Sequence, residues 1–118
     1  MDSILTSTKK LAGLTDEYEY FDPDIVMYIN SVFLALWQMG VGPAEGFSID
    51  DESAIWSDFI PNDTVLREAV KAYMGAKARL KFDPPSNSTL LEALKSDVTE
   101  SEWRLTTAAE ARKSGGVS

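Results

Sequence analysis

Apolar positions recur at three- and four-residue steps in four stretches of the chain, and each stretch predicts a helix. The first covers residues 3 to 12, with Ser3 as its cap, Ile4, Leu5, Leu11 and Ala12 on one side, and Gly13 as a left-handed stop. The second runs from Pro23 to about Met39 and ends at Gly40, with Asp22 placed to cap it and Pro23 at its first helical position. The third opens at Pro61-Asn62-Asp63-Thr64 and carries the stripe Val65, Leu66, Ala69, Tyr73, Ala76 and Leu80 to about Phe82, where Asp83-Pro84-Pro85 stops it. The fourth, capped by Ser86 or Ser88, has Leu90, Leu91, Leu94, Val98 and Leu105 on one face, continued by Ala108 and Ala109.

The second stretch differs from the others. It has no charged residue after Asp24, and its apolar side chains point in nearly every direction. A helix of that kind needs cover all round. A small protein can place it at the centre, yet Met27, Leu34 and Ala35, opposite the Ile25/Ile29/Leu36 edge, ask for more cover, which a neighbouring subunit could supply. The stretch has Asn30, Ser31 and Gln38 inside it and falls short of the roughly 20 apolar residues needed to span a bilayer.

Between the second and third helices, Gly40-Val41-Gly42-Pro43-Ala44-Glu45-Gly46 breaks helix and makes a shaped turn. Phe47-Ser48-Ile49 reads as a short extended piece, and Asp50 to Phe59 as irregular chain with one helical turn around Ile55-Trp56. The acidic connector at residues 15–20 has no helical stripe. The end, Lys113-Ser114-Gly115-Gly116-Val117-Ser118, is too polar and glycine-rich to order by itself. The pattern predicts an all-α fold: a small four-helix, bundle-like domain over residues 1–112, with a long irregular loop between helices two and three and a flexible tail at 113–118.

Composition narrows the chemistry. A chain of 118 residues, 44% apolar and 25% charged, fits one ordinary globular domain. A net charge of -8 works against phosphate-driven attraction to nucleic acid. With no cysteine, disulfides and thiolate sites are excluded, and the start Met1-Asp2-Ser3-Ile4-Leu5 does not read as a secretion signal, so the chain is expected to remain in the compartment where it is made. Charge is segregated, with Arg67, Lys71, Lys77, Arg79 and Lys81 on the third helix against a lone Glu68, and acids crowding residues 16–24 and 45–58. The basic side is expected to face acids of helix four or of an adjoining chain.

The dense carboxylates Asp50-Asp51-Glu52 and Asp58 lack the ligand alternation of a calcium loop and read as a solvated or helix-capping turn. Asp22 and Asp24 could in principle serve as paired acids, but Asp22 has the plainer job of cap, and no histidine, phosphate-cradling glycine motif or nucleophile elbow accompanies them. No enzyme, cofactor or metal site is expected. Trp37 and Trp56 are expected to fill the core. Trp103 lies off the apolar stripe beside Arg104, a pairing enriched at protein interfaces.

These residues also form a familiar order: Ser3-Ile4-Leu5, Phe21-Asp22-Pro23-Asp24 before an apolar helix with Tyr28-Ile29-Asn30, Gly40-Val41-Gly42-Pro43, Gly46-Phe47, Trp56-Ser57-Asp58-Phe59, Phe82-Asp83-Pro84-Pro85 and Glu102-Trp103-Arg104-Leu105. Over nearly the whole chain this resembles the head-tail connector, or adaptor, proteins of long-tailed phages. The resemblance implies a structural subunit of the virion neck, assembled in the bacterial host cytoplasm, that forms a dodecameric ring under the portal. The ring would join the head to the next neck or stopper protein and pass the genome through its lumen without specific binding, away from any membrane. It further implies a portal grip by the C-terminal end, here Trp103, Arg104, Arg112, Lys113, Ser114, Gly115, Gly116, Val117 and Ser118. Candidates for the neighbouring subunit or the next ring are Met27, Leu34, Gly40, Gly42, Pro43, Phe47, Trp56, Arg67 and Lys71. The competing reading is a monomeric acidic helical module acting on a host protein as a DNA mimic, which would need its acids spread over one exposed face.

Overall fold

The computed structural model describes residues 3–14 and 21–117, with side chains up to residue 111. The acidic connector and Ser118 lie outside the described residues, as do the side chains of Arg112 to Val117. Among the described residues five helices follow in order: α1 (Ile4–Leu11), α2 (Asp22–Met39), α3 (Trp56–Phe59), α4 (Thr64–Phe82) and α5 (Ser88–Val117). The fold is all-α, and the turn expected near Ile55-Trp56 is the short α3 inside the long loop.

Local signals explain most boundaries. Ser3 caps α1 by accepting from the Thr6 amide at 3.2 Å, and Asp63 caps α4 by accepting from the Leu66 amide at 2.9 Å. Two cap assignments change. Asp22 lies inside α2, after a Phe21 that makes no side-chain cap bond, and its carboxylate instead meets Lys9 Nζ at 2.8 Å. At α5 the cap is Asn87, whose Oδ1 accepts from the amides of Thr89 at 2.8 Å and Leu90 at 3.1 Å. An amide side chain that reaches two free N–H groups displaces either neighbouring serine. The α5 backbone stays helical through residues 113–117, since each added residue extends an already nucleated helix.

The helix at the centre is α4, which packs on each of the other four, whereas the sequence suggested α2 for that place. Leu66, Val70, Tyr73, Met74, Gly75 and Ala78 form its buried side. Gly75 permits the close approach of α1: a methyl there would lie 2.6 Å from Leu11 Cβ. Val65 and Ala69, expected in the stripe, stand outside it, and Val65 is 82% exposed. The buried face is turned toward α1 and α2 by the need to cover both, and this shift cannot be read from one helix alone.

The long loop is docked on α2 by side chains. Asn30 donates from Nδ2 to the Ile49 carbonyl at 2.9 Å and accepts from the Ile49 amide at 2.8 Å, so a polar residue in an apolar helix pairs as a strand would. Behind it Phe33 meets Phe47 and Phe59 at ring-centroid distances of 5.0 and 4.7 Å. Trp56 joins this cluster, and its Nε1 donates to Ser7 Oγ at 2.7 Å, tying the loop to α1. The Ile4 amide donates to the Ala54 carbonyl at 2.9 Å, completing the link.

Candidate interaction surfaces

Helix α2 buries one stripe, Ile25, Ile29, Val32, Phe33 and Leu36. Its other side is uncovered: Met27 is 72% exposed, Leu34 56% and Trp37 48%. Ala35 is half-buried. Trp37 therefore does not fill the core as expected; its Nε1 donates to the Ala44 carbonyl at 2.9 Å, which ties the ring to the turn after α2. Three bulky apolar side chains on one face of one helix make a patch of the kind that marks a contact site.

The Asn30 to Ile49 pair divides this face into two hollows. One is lined by Leu34, Trp37, Glu45 and Phe47. The other has Val26 and Met27 at its base and Asp22, Asp50, Asp51 and Glu52 around it. The acids have local jobs as well: Asp51 accepts from the Ser53 amide and hydroxyl, and Asp58 accepts from the Ile55 amide at 3.0 Å. The bond from the Ser53 side chain, then that from its backbone, holds the Asp51 carboxyl below the usual carboxylate range. Among the described residues no group of acids is arranged to hold a metal ion.

The basic side of α4 is partly engaged within the chain. Arg67 donates from Nη1 to the carbonyls of Ile60 at 2.7 Å and Pro61 at 3.3 Å, and so braces the turn between α3 and α4. Lys71 and Lys77 are half-buried, and Arg79 and Lys81 are exposed. Glu102 of α5 reaches α4, but it accepts from the Tyr73 hydroxyl at 2.7 Å rather than from a lysine. Burial raises the Tyr73 phenol well above its ordinary 10.0, the hydrogen bond and negative charge of Glu102 add to this, and Tyr28 is raised by burial and then by the Glu102 charge.

A raised phenol pKa favours the neutral folded form, so its stabilising effect is complete below the unfolded value and is lost as pH rises above it. The urea midpoint is therefore expected to stay level to about pH 9.5 and to fall between about pH 10 and 12. Tyr73→Phe should flatten that fall. An equally steep alkaline loss in the variant would show that these tyrosines are not its cause.

The expected site residues separate into two groups. Met27 and Leu34 stand together on the surface, joined by Trp37, which was missed even though its i+3 spacing from Leu34 puts it on the same face. Trp56 is buried, Phe47 is half-buried between the aromatic cluster and the hollow beside Leu34 and Trp37, and Gly42 is exposed with its inner side backed against the Phe59 ring. Gly40 ends α2 at a φ of 87°, with Pro43 half-buried in the turn that follows. On α5, Trp103 is 68% exposed and borders a shallow hollow with Glu92, Lys95 and Thr99. Arg104, one residue on, points about 100° away, pairs with Glu100, and borders a different groove, shared with α4.

A small helical domain with an uncovered apolar helix face has the surface expected of a protein that works by contact with other chains. The family model that matches is that of the phage connector proteins, over residues 4–112. The chain belongs to this family, and its role is that of a structural connector in the virion. No curated protein and no solved structure matches it.

Proposed function

We propose that copies of this chain form a dodecameric ring beneath the portal of the packaged head, join it to the next neck or stopper protein, and surround the channel through which the genome leaves. The observation that carries this reading is the α2 face, where Met27, Leu34 and Trp37 stand in solvent on a chain of the connector family. Leaving such a patch bare is unfavourable in a monomer, and burying it between identical copies removes that penalty. A net charge of -8 suits walls along which DNA slides without sticking. Among the described residues no helix is long and apolar enough to cross a membrane. The portal-facing element in this reading is α5, with exposed Trp103 and the C-terminal residues 112–118.

The test is assembly on portal rings, followed by electron microscopy and sedimentation. The parent chain is expected to add a ring. Met27→Glu with Leu34→Glu should abolish it while leaving the monomer melting temperature nearly unchanged, since exposed substitutions shift stability by only about 0.5 kcal/mol. Deleting residues 113–118 should keep the fold and weaken portal attachment. A doubly substituted chain that still closes into rings would refute the assignment to α2, and equal portal affinity of the truncated chain would refute the role of the tail.

A further inference from the structure

The α2 face needs a counterpart. Val65, Ala69 and Ala72, at i, i+4 and i+7, form an exposed edge of α4 that borders a groove of about 510 Å³ against Arg104, Leu105 and Ala108 of α5. About two and a half helical turns separate Val65 from Met74, so the edge looks away from the buried side of α4. That buried side is flanked by α5 at Tyr73 and by α1 at Gly75, and α2 packs on it. The α2 outer face and the α4/α5 groove therefore open on opposite sides of the molecule.

We infer that the α4/α5 groove of one copy receives the α2 outer face of the next, in a head-to-tail contact. The inference rests on the ring reading and names the surfaces it would use. Shape favours the pairing: α2 presents the bulky Met27, Leu34 and Trp37, and the groove is bordered by the small Ala69, Ala72 and Ala108, which leave room for them. Charge favours it too. The two hollows beside α2 are lined by Glu45, Asp50, Asp51 and Glu52, with Asp22 already paired to Lys9. The groove offers Arg104, held by an exposed pair with Glu100 that opens readily; the carboxylate that lines it, Asp63, is engaged as the α4 cap, and beyond the lining Arg79 and Glu68 share the same α4 edge. Two unlike patches on opposite sides make a heterologous contact, which a ring requires and a two-fold dimer does not.

The chain has no cysteine, so introduced ones report cleanly. Leu34→Cys and Ala69→Cys would be made singly and together in the full chain and treated, concentrated, with a short bis-maleimide that traps even brief contacts. The double variant is expected to give a ladder of dimers, trimers and higher multiples on denaturing gels, and each single variant to stay monomeric. Ala69→Glu should weaken assembly by about tenfold or more without moving the unfolding midpoint. Dimers from Leu34→Cys alone would mean that α2 meets its own copy, and would overturn the inference. Rings of the parent chain on the portal with no ladder from the double variant would overturn it and leave the ring reading standing; the absence of any ring would remove both.

Discussion

Phe33→Ala is expected to lower the free energy of unfolding by about 3 to 5 kcal/mol, a large share of the roughly 5 to 15 kcal/mol available to a domain of this kind. Phe33 is 1% exposed and touches three rings, Phe47, Phe59 and Trp56. The loss has two parts, the transfer of a large apolar side chain and a cavity that its aromatic neighbours cannot all close. A third consequence is specific to this fold. The loop between α2 and α3 has little regular structure to hold it, so the ring cluster and the Asn30 to Ile49 pair keep it in place. Urea unfolding followed by circular dichroism gives the size of the effect. A loss below about 1 kcal/mol would mean that the loop collapses freely into the space, and that the cluster does not anchor it.

Gly42→Ala is expected to cost about 2 to 5 kcal/mol, although it adds only one methyl group. Two independent terms act in the same direction. The residue sits at a φ of 99°, a conformation that side chains rarely adopt. An added Cβ would also fall 2.5 Å from Cε1 and 2.7 Å from Cζ of Phe59, a ring 3% exposed and already packed against Phe33 and Phe47. Phe59→Leu in the same background should return the steric part and leave the torsional part, which a double-mutant cycle separates. If Gly42→Ala proved as stable as the parent and only assembly changed, Gly42 would be a contact residue rather than a packing one.

Both expectations concern positions that differ in how openly the sequence displays them. The spacing of Ile25, Ile29, Val32, Phe33 and Leu36 marks a buried stripe, and Gly40 with Gly42 and Pro43 marks a turn. That Gly42 faces a ring 17 positions away is invisible in the chain, since nothing local records which loop residue returns to it. The tryptophans illustrate the same limit. Trp37 and Trp56 look alike in sequence, yet Trp56 finds Ser7 and the ring cluster, while Trp37 finds only the Ala44 carbonyl and stays at the surface.

The candidate surface was half legible. An apolar helix without charge after Asp24 has more greasy circumference than one domain covers, and Met27 and Leu34 follow from that count alone. The α4/α5 groove was hidden because Val65 and Ala69 fit a buried stripe as well as an exposed edge. Local spacing gives the relative angle between side chains but not the direction of the core.

The chain by itself determined the helices, their ends at glycine and proline, and the surplus of apolar surface on α2, because propensity, capping and periodicity act within a few residues. Only the tertiary structure decided that α4 occupies the centre, that Asn30 receives the loop, and that the uncovered face and the groove open on opposite sides. These depend on contacts between residues far apart in sequence, where the packing of several helices at once selects which face of each is hidden.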